Sequence, residues 1–262
     1  MRHGIVVVGG DRMNYIVLDL EFNGRKHYDI YPMEIIEIGA VKLNERHEVV
    51  DTFQSYIKPN YPVNHFALQF CGISKEQLLK SPGFTEVIGK FIAFCGDSYK
   101  LLAWGGSDFF NLFVDCKVNE IDHEWLVNLL DVTQFFEGGL QKALEEHQLE
   151  PIGQHHSALD DALNAAQLLK LKPEIFSSEQ YFKRNVFKIC TGGIKKWIIL
   201  CLDQALAKET LLTWEQFASL DRTKTYFSVM KLTPAEIKMT ESLFYKFQKM
   251  KFGRKLKKLQ PA

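Results

Sequence analysis

From Tyr15 to Phe22 the chain alternates, with Ile16, Leu18, Leu20 and Phe22 on one face and Val17, Asp19 and Glu21 on the other, which is the period-two pattern of a strand. Apolar residues at both parities near its start make it a mostly buried strand. Glu34–Leu43 and Glu48–Ile57 read as two more strands, and the short polar turn around Asn44 and Glu45 requires them to pair antiparallel. After Pro59 and Pro62 the period lengthens: Ser74 with Gln77 forms a helix-start pattern, and Thr85–Phe94 spaces its apolar residues as an amphipathic helix does. A fourth strand, Tyr99–Trp104, runs into a helix near Ser107–Val114. A fifth, Leu129–Val132, precedes helices over Leu140–Gln148 and Ser157–Leu171. Beyond Glu179 the strand pattern fades, and Thr233, Pro234 and Glu236 start a helix with Ile237, Leu243, Phe244, Phe247 and Met250 as one face.

Three meandering strands followed by strand–helix alternation predict an α/β fold: a mixed five-stranded sheet flanked by helices, with the ribonuclease-H-like layout. The predicted organisation is a leader over 1–14, with Met13 as an alternative start, a main domain over 15–178, and a basic, mainly helical extension over 179–262. The VVVGGD stretch in the leader lacks the spacing of a nucleotide loop.

Charge supports this division. The 262 residues carry 32 basic and 32 acidic side chains, but residues 1–180 hold 15 basic against 26 acidic and residues 181–262 hold 17 against 6. The basic tail KFGRKLKKLQ is a candidate track for phosphate. Five dispersed cysteines (Cys71, Cys95, Cys116, Cys190, Cys201) suggest neither a zinc module nor a disulfide framework and fit a cytoplasmic protein. The longest apolar run in the C-terminal part, Trp197–Leu202, falls far short of the ~20 residues of a membrane span.

Candidate chemistry lies in three segments. Asp19 and Glu21, two apart on a strand, leave the same face and can reach one point; such hard oxygen ligands suit Mg²⁺ or Mn²⁺. Taken alone, the pair fits a solvent-facing strand better than a metal site. In HHSALDDA (155–162), Ser157 with Asp160 reads as a capping box, which leaves Asp161 without a capping role. Asp161 and His156 would lie ~140° apart on a continuous helix, so a shared site needs His156 on the preceding loop. His155 reads as a surface or supporting histidine. In LLAWGGSDFF, Ser107 is placed to cap a helix and Asp108 to fall in its first turn, where the helix dipole favours a carboxylate.

In order and spacing these segments resemble the three motifs of the DEDDh superfamily, the 3′-to-5′ exonucleases that include ribonuclease T and polymerase proofreading subunits. The resemblance covers Tyr15 to about Leu171. Asp19 and Glu21 in DLEFN match the first acidic pair, Asp108 the middle aspartate, and His156 with Asp161 the H-x-A-x-x-D-A ending. The stretches PMEIIEIGAV, CGIS and GLQKALEEHQL are similar to the subgroup of sporulation-inhibitor-type and histone-messenger exonucleases. Two positions depart: Asn23 stands where many relatives have Thr, and Cys71 where a Thr precedes Gly-Ile.

The resemblance implies a two-metal phosphodiesterase. Asp19, Glu21, Asp108 and Asp161 would hold two Mg²⁺ or Mn²⁺ ions, His156 would act as general base, and nucleoside 5′-monophosphates would leave the 3′ ends of single-stranded RNA, the favoured substrate, or DNA. Phe22, Asn23 and Trp104 are candidate substrate contacts, although the alternation of Phe22 with Leu20, and packing for Trp104, argue for core. The alternatives are a catalytically silent nucleic-acid-binding module, which has no need of four mutually repelling acids, and a ribonuclease-H-type endonuclease, which the H-x-A-x-x-D-A ending disfavours.

Overall fold

The computed structural model describes residues 13–24, 31–182 and 193–253. Most of the expected leader, including VVVGGD, and residues 254–262 of the basic tail lie outside them. Contacts between Cα atoms divide the chain into two compact units, Met1–Asn23 with Glu34–Phe113 and Asp122–Asn185, and Gly24–Met33 with Val114–Ile121 and Val186–Ala262.

The first unit carries a five-stranded sheet made of β1 (Asn14–Asn23), β2 (Glu34–Leu43), β3 (Val49–Tyr56), β4 (Tyr99–Ala103) and β5 (Leu129–Asp131). The order across the sheet is β3-β2-β1-β4-β5. The pairs β1–β2 and β2–β3 are antiparallel, while β1–β4 and β4–β5 are parallel. This is the mixed sheet expected from a meander followed by crossovers. The helices of this part of the chain are α1 (His65–Cys71), α2 (Lys75–Lys80), α3 (Phe84–Cys95), α4 (Gly106–Val118), α5 (Leu140–Glu146), α6 (Ala158–Leu169) and α7 (Glu174–Ser177).

On one face of β1, Tyr15 and Val17 join a buried cluster with Val41, Leu102 and Leu130 of the neighbouring strands and with Ala162, Ala165, Ala166 and Leu169 of α6. The period of two then sends Asp19 and Glu21 out on that same α6-covered face, just past the apolar pair. The alanines let α6 lie close to the sheet. Gly39 of β2 shows how close: a Cβ built there would stand 2.0 Å from the backbone nitrogen of Leu159 and 2.1 Å from the carbonyl carbon of Ala158.

Helix starts depart from expectation in two places. At α6, Ser157 is the N-cap residue but its side chain makes no capping bond. Instead the carboxylate of Asp160 accepts the Gln154 N–H at 2.8 Å, turning back to the preceding loop. At α4 the helix begins at Gly106, so Ser107 lies inside it. Asp131 of β5 supplies the side-chain oxygen, accepting the Gly106 N–H at 2.9 Å. Ser74 does cap α2, accepting the Gln77 N–H.

The second unit carries α8 (Gly193–Ala207), α9 (Trp214–Ser219), α10 (Asp221–Val229) and α11 (Pro234–Phe252). Its core stacks Phe217 on Phe244 with ring centroids 5.2 Å apart, beside Trp214. Thr233 and Glu236 form a complete capping box at α11. Phe244 and Phe247 are buried as expected, but Met250 is 67% exposed. At 100° per residue Met250 lies ~140° off the face that Phe244 and Gln248 share. No helix among the described residues is long and apolar enough to cross a membrane.

Since the obstacle at Gly39 is helix backbone, Gly39→Ala should cost at least ~3 kcal/mol, the upper end of overpacking penalties where side chains can yield. Urea unfolding of the variant against the parent measures this; an unchanged midpoint would show that α6 does not rest on β2 here.

Candidate active site

Asp19 and Glu21 stand on adjacent same-face positions of β1, and Asp161 projects from the first turn of α6 toward them. One carboxylate oxygen from each lies within 4.8 Å of the other two. Glu21 and Asp161 are buried, and Asp19 is half-buried. The Oδ2 of Asp161 accepts the His156 N–H at 3.0 Å, whereas its Oδ1 is buried without a hydrogen-bond partner. A buried acceptor left open beside two other carboxylates is what a cation ligand requires, so these residues fit a divalent ion.

Asp108 enters from α4, following Gly105, whose φ of +121° turns the chain off β4. It is buried, and it is electrostatically coupled to both Asp19 and Glu21, although it lies outside the 4.8 Å trio. The four acids therefore share one region, three of them tightly.

Their protonation reflects this crowding. Burial, followed by repulsion from Asp108, Asp161, Glu21 and Glu37, pushes Asp19 well above the usual carboxylate range. Burial raises Glu21 to about 7 against a lowering hydrogen bond from Cys71, with Glu37 and Asp161 adding to the rise. Burial, then Glu21 and Asp131, raise Asp108 to about 8. Asp161 is raised by burial, partly offset by the His156 N–H.

His156 sits on the turn before α6 in the left-handed region, φ 65°, which L-residues adopt sparingly and histidine more readily than most. Its ring lies between Phe70, at 3.7 Å between centroids, and His155, at 3.6 Å. Burial, then His155, lower its pKa, so it is neutral near pH 7.

Of the other residues singled out from the sequence, Phe22 is half-exposed instead of lying in the core, beside a register shift at which β2 carries one extra residue, Ile36, between the partners of Glu21 and Phe22. Asn23 is fully buried and its amide is engaged: it donates to Glu34 and to the Pro62 carbonyl and accepts the Asn64 N–H. Trp104 packs on the core against Phe136, 5.4 Å between centroids.

Three residues about the site were not found from the sequence. Cys71, at the end of α1, donates its thiol to Glu21 Oε2 at 2.8 Å; standing one residue before Gly-Ile was its only signal. Glu37, opposite Glu21 on β2, accepts from Gln54 at 2.7 Å and from the Ala158 N–H at 3.4 Å. Phe70 is 61% exposed although it touches His156, and an exposed aromatic cannot be told from a buried one by spacing alone.

Residues 16–169 match the family described as Exonuclease (RNase_T). The chain belongs to this exonuclease family. Among its relatives, the probable 3′-5′ exonuclease KapD of Bacillus subtilis strain 168 is 30% identical over 183 residues, covering 64% of this chain and 87% of KapD. The PolC-type DNA polymerase III of Thermotoga maritima is 32% identical over 161 residues, which span 59% of this chain and 11% of that much longer protein. Among solved structures, the 3′-exonuclease in complex with the histone mRNA stem-loop has a TM-score of 0.54 at 23% identity, with 67% of this chain and 85% of that chain covered. Cell-death related nuclease 4 has a TM-score of 0.55 at 17% identity, covering 81% and 77%. These likenesses agree with the ribonuclease-H-like sheet. The chain is thus an exonuclease-family hydrolase with an acidic pocket suited to divalent metal.

In the metal-free chain each raised carboxyl holds its proton more tightly folded than unfolded. Stability is therefore greatest on the acid side and falls as pH climbs from the unfolded carboxylate range through the values of about 7 for Glu21 and about 8 for Asp108. Metal binding removes that penalty. The rise in melting temperature on adding Mn²⁺ should accordingly be larger at about pH 8.5 than at about pH 6. Thermal scans in chelator and in Mn²⁺ decide it, and an equal rise at both would contradict proton–metal competition.

Proposed function

We propose that this protein is a metal-dependent 3′-to-5′ exonuclease that hydrolyses the terminal phosphodiester of single-stranded nucleic acid, RNA before DNA, and releases nucleoside 5′-monophosphates. The observation that carries the reading is the convergence of Asp19, Glu21 and Asp161, with an open buried oxygen on Asp161, beside a neutral His156. The 3′-to-5′ polarity is supported by KapD, described as a probable 3′-5′ exonuclease and matched over most of its length.

In this reading Asp19, Glu21, Asp108 and Asp161 hold two divalent ions, Mg²⁺ or Mn²⁺. Bound ions of this kind lower the pKa of an attacking water and stabilise the departing 3′ oxygen. His156 takes the proton from the water, a role that requires the neutral imidazole its burial favours. The Phe70 ring, exposed beside that imidazole, offers a face on which the terminal base stacks. The preference for RNA is supported by the similarity of PMEIIEIGAV and CGIS to the subgroup containing histone-messenger exonucleases. A related fold, that of E. coli exonuclease I, has been solved with a dT13 oligonucleotide, so both polymers belong in the test. Residues 179–262, with their basic excess, are read as an extension that contacts the nucleic-acid backbone.

With 5′-labelled single-stranded RNA and DNA, a ladder shortening from the 3′ end should form with Mg²⁺ or Mn²⁺ and vanish with chelator. His156→Ala should lower the rate ~10²–10⁴-fold and Asp19→Ala at least as much; full activity in both would end the assignment. Phe70→Ala should weaken oligonucleotide binding by ~1–3 kcal/mol, the worth of one stacked base, as read by fluorescence anisotropy in a metal that supports binding without turnover.

A further inference from the structure

His155 and His156 are consecutive, and their imidazoles overlap with centroids 3.6 Å apart at an interplanar angle of 35°. A ring nitrogen from each and a carboxylate oxygen of Asp161 all lie within 4.8 Å of one another. This is a second ligand set, distinct in chemistry from the carboxylates of Asp19, Glu21 and Asp161. Two imidazole nitrogens and one carboxylate oxygen match the ligation of zinc, whereas hard Mg²⁺ prefers oxygen alone. Ligand atoms around one tetrahedral Zn²⁺ stand about 3.3 Å apart, given bonds of about 2.0–2.1 Å. His155 is exposed, so its side chain is free to turn inward and close the remaining distance. His156 is backed by Phe70. The Oδ1 of Asp161 is buried without a hydrogen-bond partner, and Oδ2 accepts only the His156 N–H, so the carboxylate keeps lone pairs available to a metal.

We propose that His155, His156 and Asp161 form an inhibitory Zn²⁺ site overlapping the catalytic one. The inference rests on the roles assigned above to His156 and Asp161. An ion held there occupies the lone pair with which His156 would accept a proton and takes Asp161 from the carboxylate set, so Zn²⁺ inhibition and Mg²⁺ activation are mutually exclusive at Asp161. First-row divalent ions bind mixed nitrogen–oxygen sites more tightly toward the zinc end of the series than toward manganese, so trace Zn²⁺ competes with a large excess of the activating ion. His155 is assigned no ligand or proton-transfer role in the proposed hydrolysis; its contribution here is to turn a single general base into two-thirds of a chelate.

Two measurements on the chelator-treated full chain test this, comparing the parent with His155→Gln. In calorimetric titration with Zn²⁺ alone, the substitution should weaken binding by about 10-fold or more, since even groups that only support a metal ligand are worth about 10–100-fold in affinity. In the 5′-labelled RNA assay at fixed Mg²⁺, half-inhibition by Zn²⁺, taken relative to each protein's own zinc-free rate, should move up by the same factor. Equal Zn²⁺ affinity and equal inhibition in the two proteins would overturn the site, as would a parent that binds no Zn²⁺. A protein that degrades neither RNA nor DNA with Mg²⁺ yet binds Zn²⁺ through His155 would refute the exonuclease reading and uphold the site. One that degrades RNA but shows no His155-dependent Zn²⁺ binding would do the reverse.

Discussion

The seating of the α6 N-terminus on the backbone of β2 at Gly39 holds the candidate site together. A helix carrying one acid must be brought against a strand carrying two, and the contact that does so lies at 2.0 Å from where any side chain at Gly39 would begin. Around it the neighbouring residues cooperate. Glu37, two positions before Gly39 and on the same face of β2, accepts the Ala158 N–H, one of the donors that a helix start leaves without an intrahelical partner. The alanines at 162, 165 and 166 keep the rest of α6 low on the sheet. Distance between the acids is set by apolar packing several residues away, not by the acids themselves.

The acids oppose that packing. Asp19, Glu21, Asp108 and Asp161 all have raised pKa values with burial as the first cause, so part of the folding energy is spent in gathering groups that would rather hold protons or separate. Several neighbours ease the strain without neutralising it. The Cys71 thiol donates to Glu21 and the His156 N–H to Asp161. None of these partners is a cation. A lysine or arginine among the acids would neutralise them outright; hydrogen bonds from a thiol and a backbone amide bring no positive charge, so the negative charge that forms when these acids ionise is left for a metal ion to offset.

How much of this could be read in the sequence depended on whether a signal was local. The alternation in β1, the short connection of β2 to β3 and the apolar spacing of α3 and α6 are set by near neighbours, and the five strands follow from them with bounds shifted by a residue or so, whereas α4 runs four residues past its expected end, to Val118. Asp19, Glu21, Asp108, His156 and Asp161 were singled out by the order and spacing of motifs that resemble the family's; in the structure Asp19, Glu21 and Asp161 bring one oxygen each within 4.8 Å, His156 bonds to Asp161 through its N–H, and Asp108 lies outside that trio. Local patterns failed where a residue had a better partner far along the chain. Asp160 bonds to Gln154 instead of completing a capping box, and α4 takes its side-chain oxygen from Asp131, 25 residues on. Phe22, expected in the core from its alternation with Leu20, is half-exposed near the end of β1, and the extra residue that β2 inserts opposite it is not foreseen by any spacing rule. Cys71 meeting Glu21 across 50 residues and Glu37 meeting Ala158 across 121 are products of the fold alone.

Asp161 joins the two halves of the proposed chemistry in one side chain. Its Oδ2 accepts the backbone N–H of His156, its Oδ1 is buried without a hydrogen-bond partner, and one of its oxygens lies within 4.8 Å of oxygens of Asp19 and Glu21. The position of the base and the position of a metal ligand are therefore one mechanical unit, pivoting on the first turn of α6. A shift of that helix moves both together, preserving their relation to each other while changing their distance from β1. Loss of the carboxylate removes a ligand and also the acceptor that holds the loop, whereas an amide in its place can still accept the His156 N–H. For this reason the consequences of changing Asp161 should divide according to whether the replacement keeps an acceptor oxygen, a distinction without counterpart at Asp19, for which no loop contact is seen among the described residues.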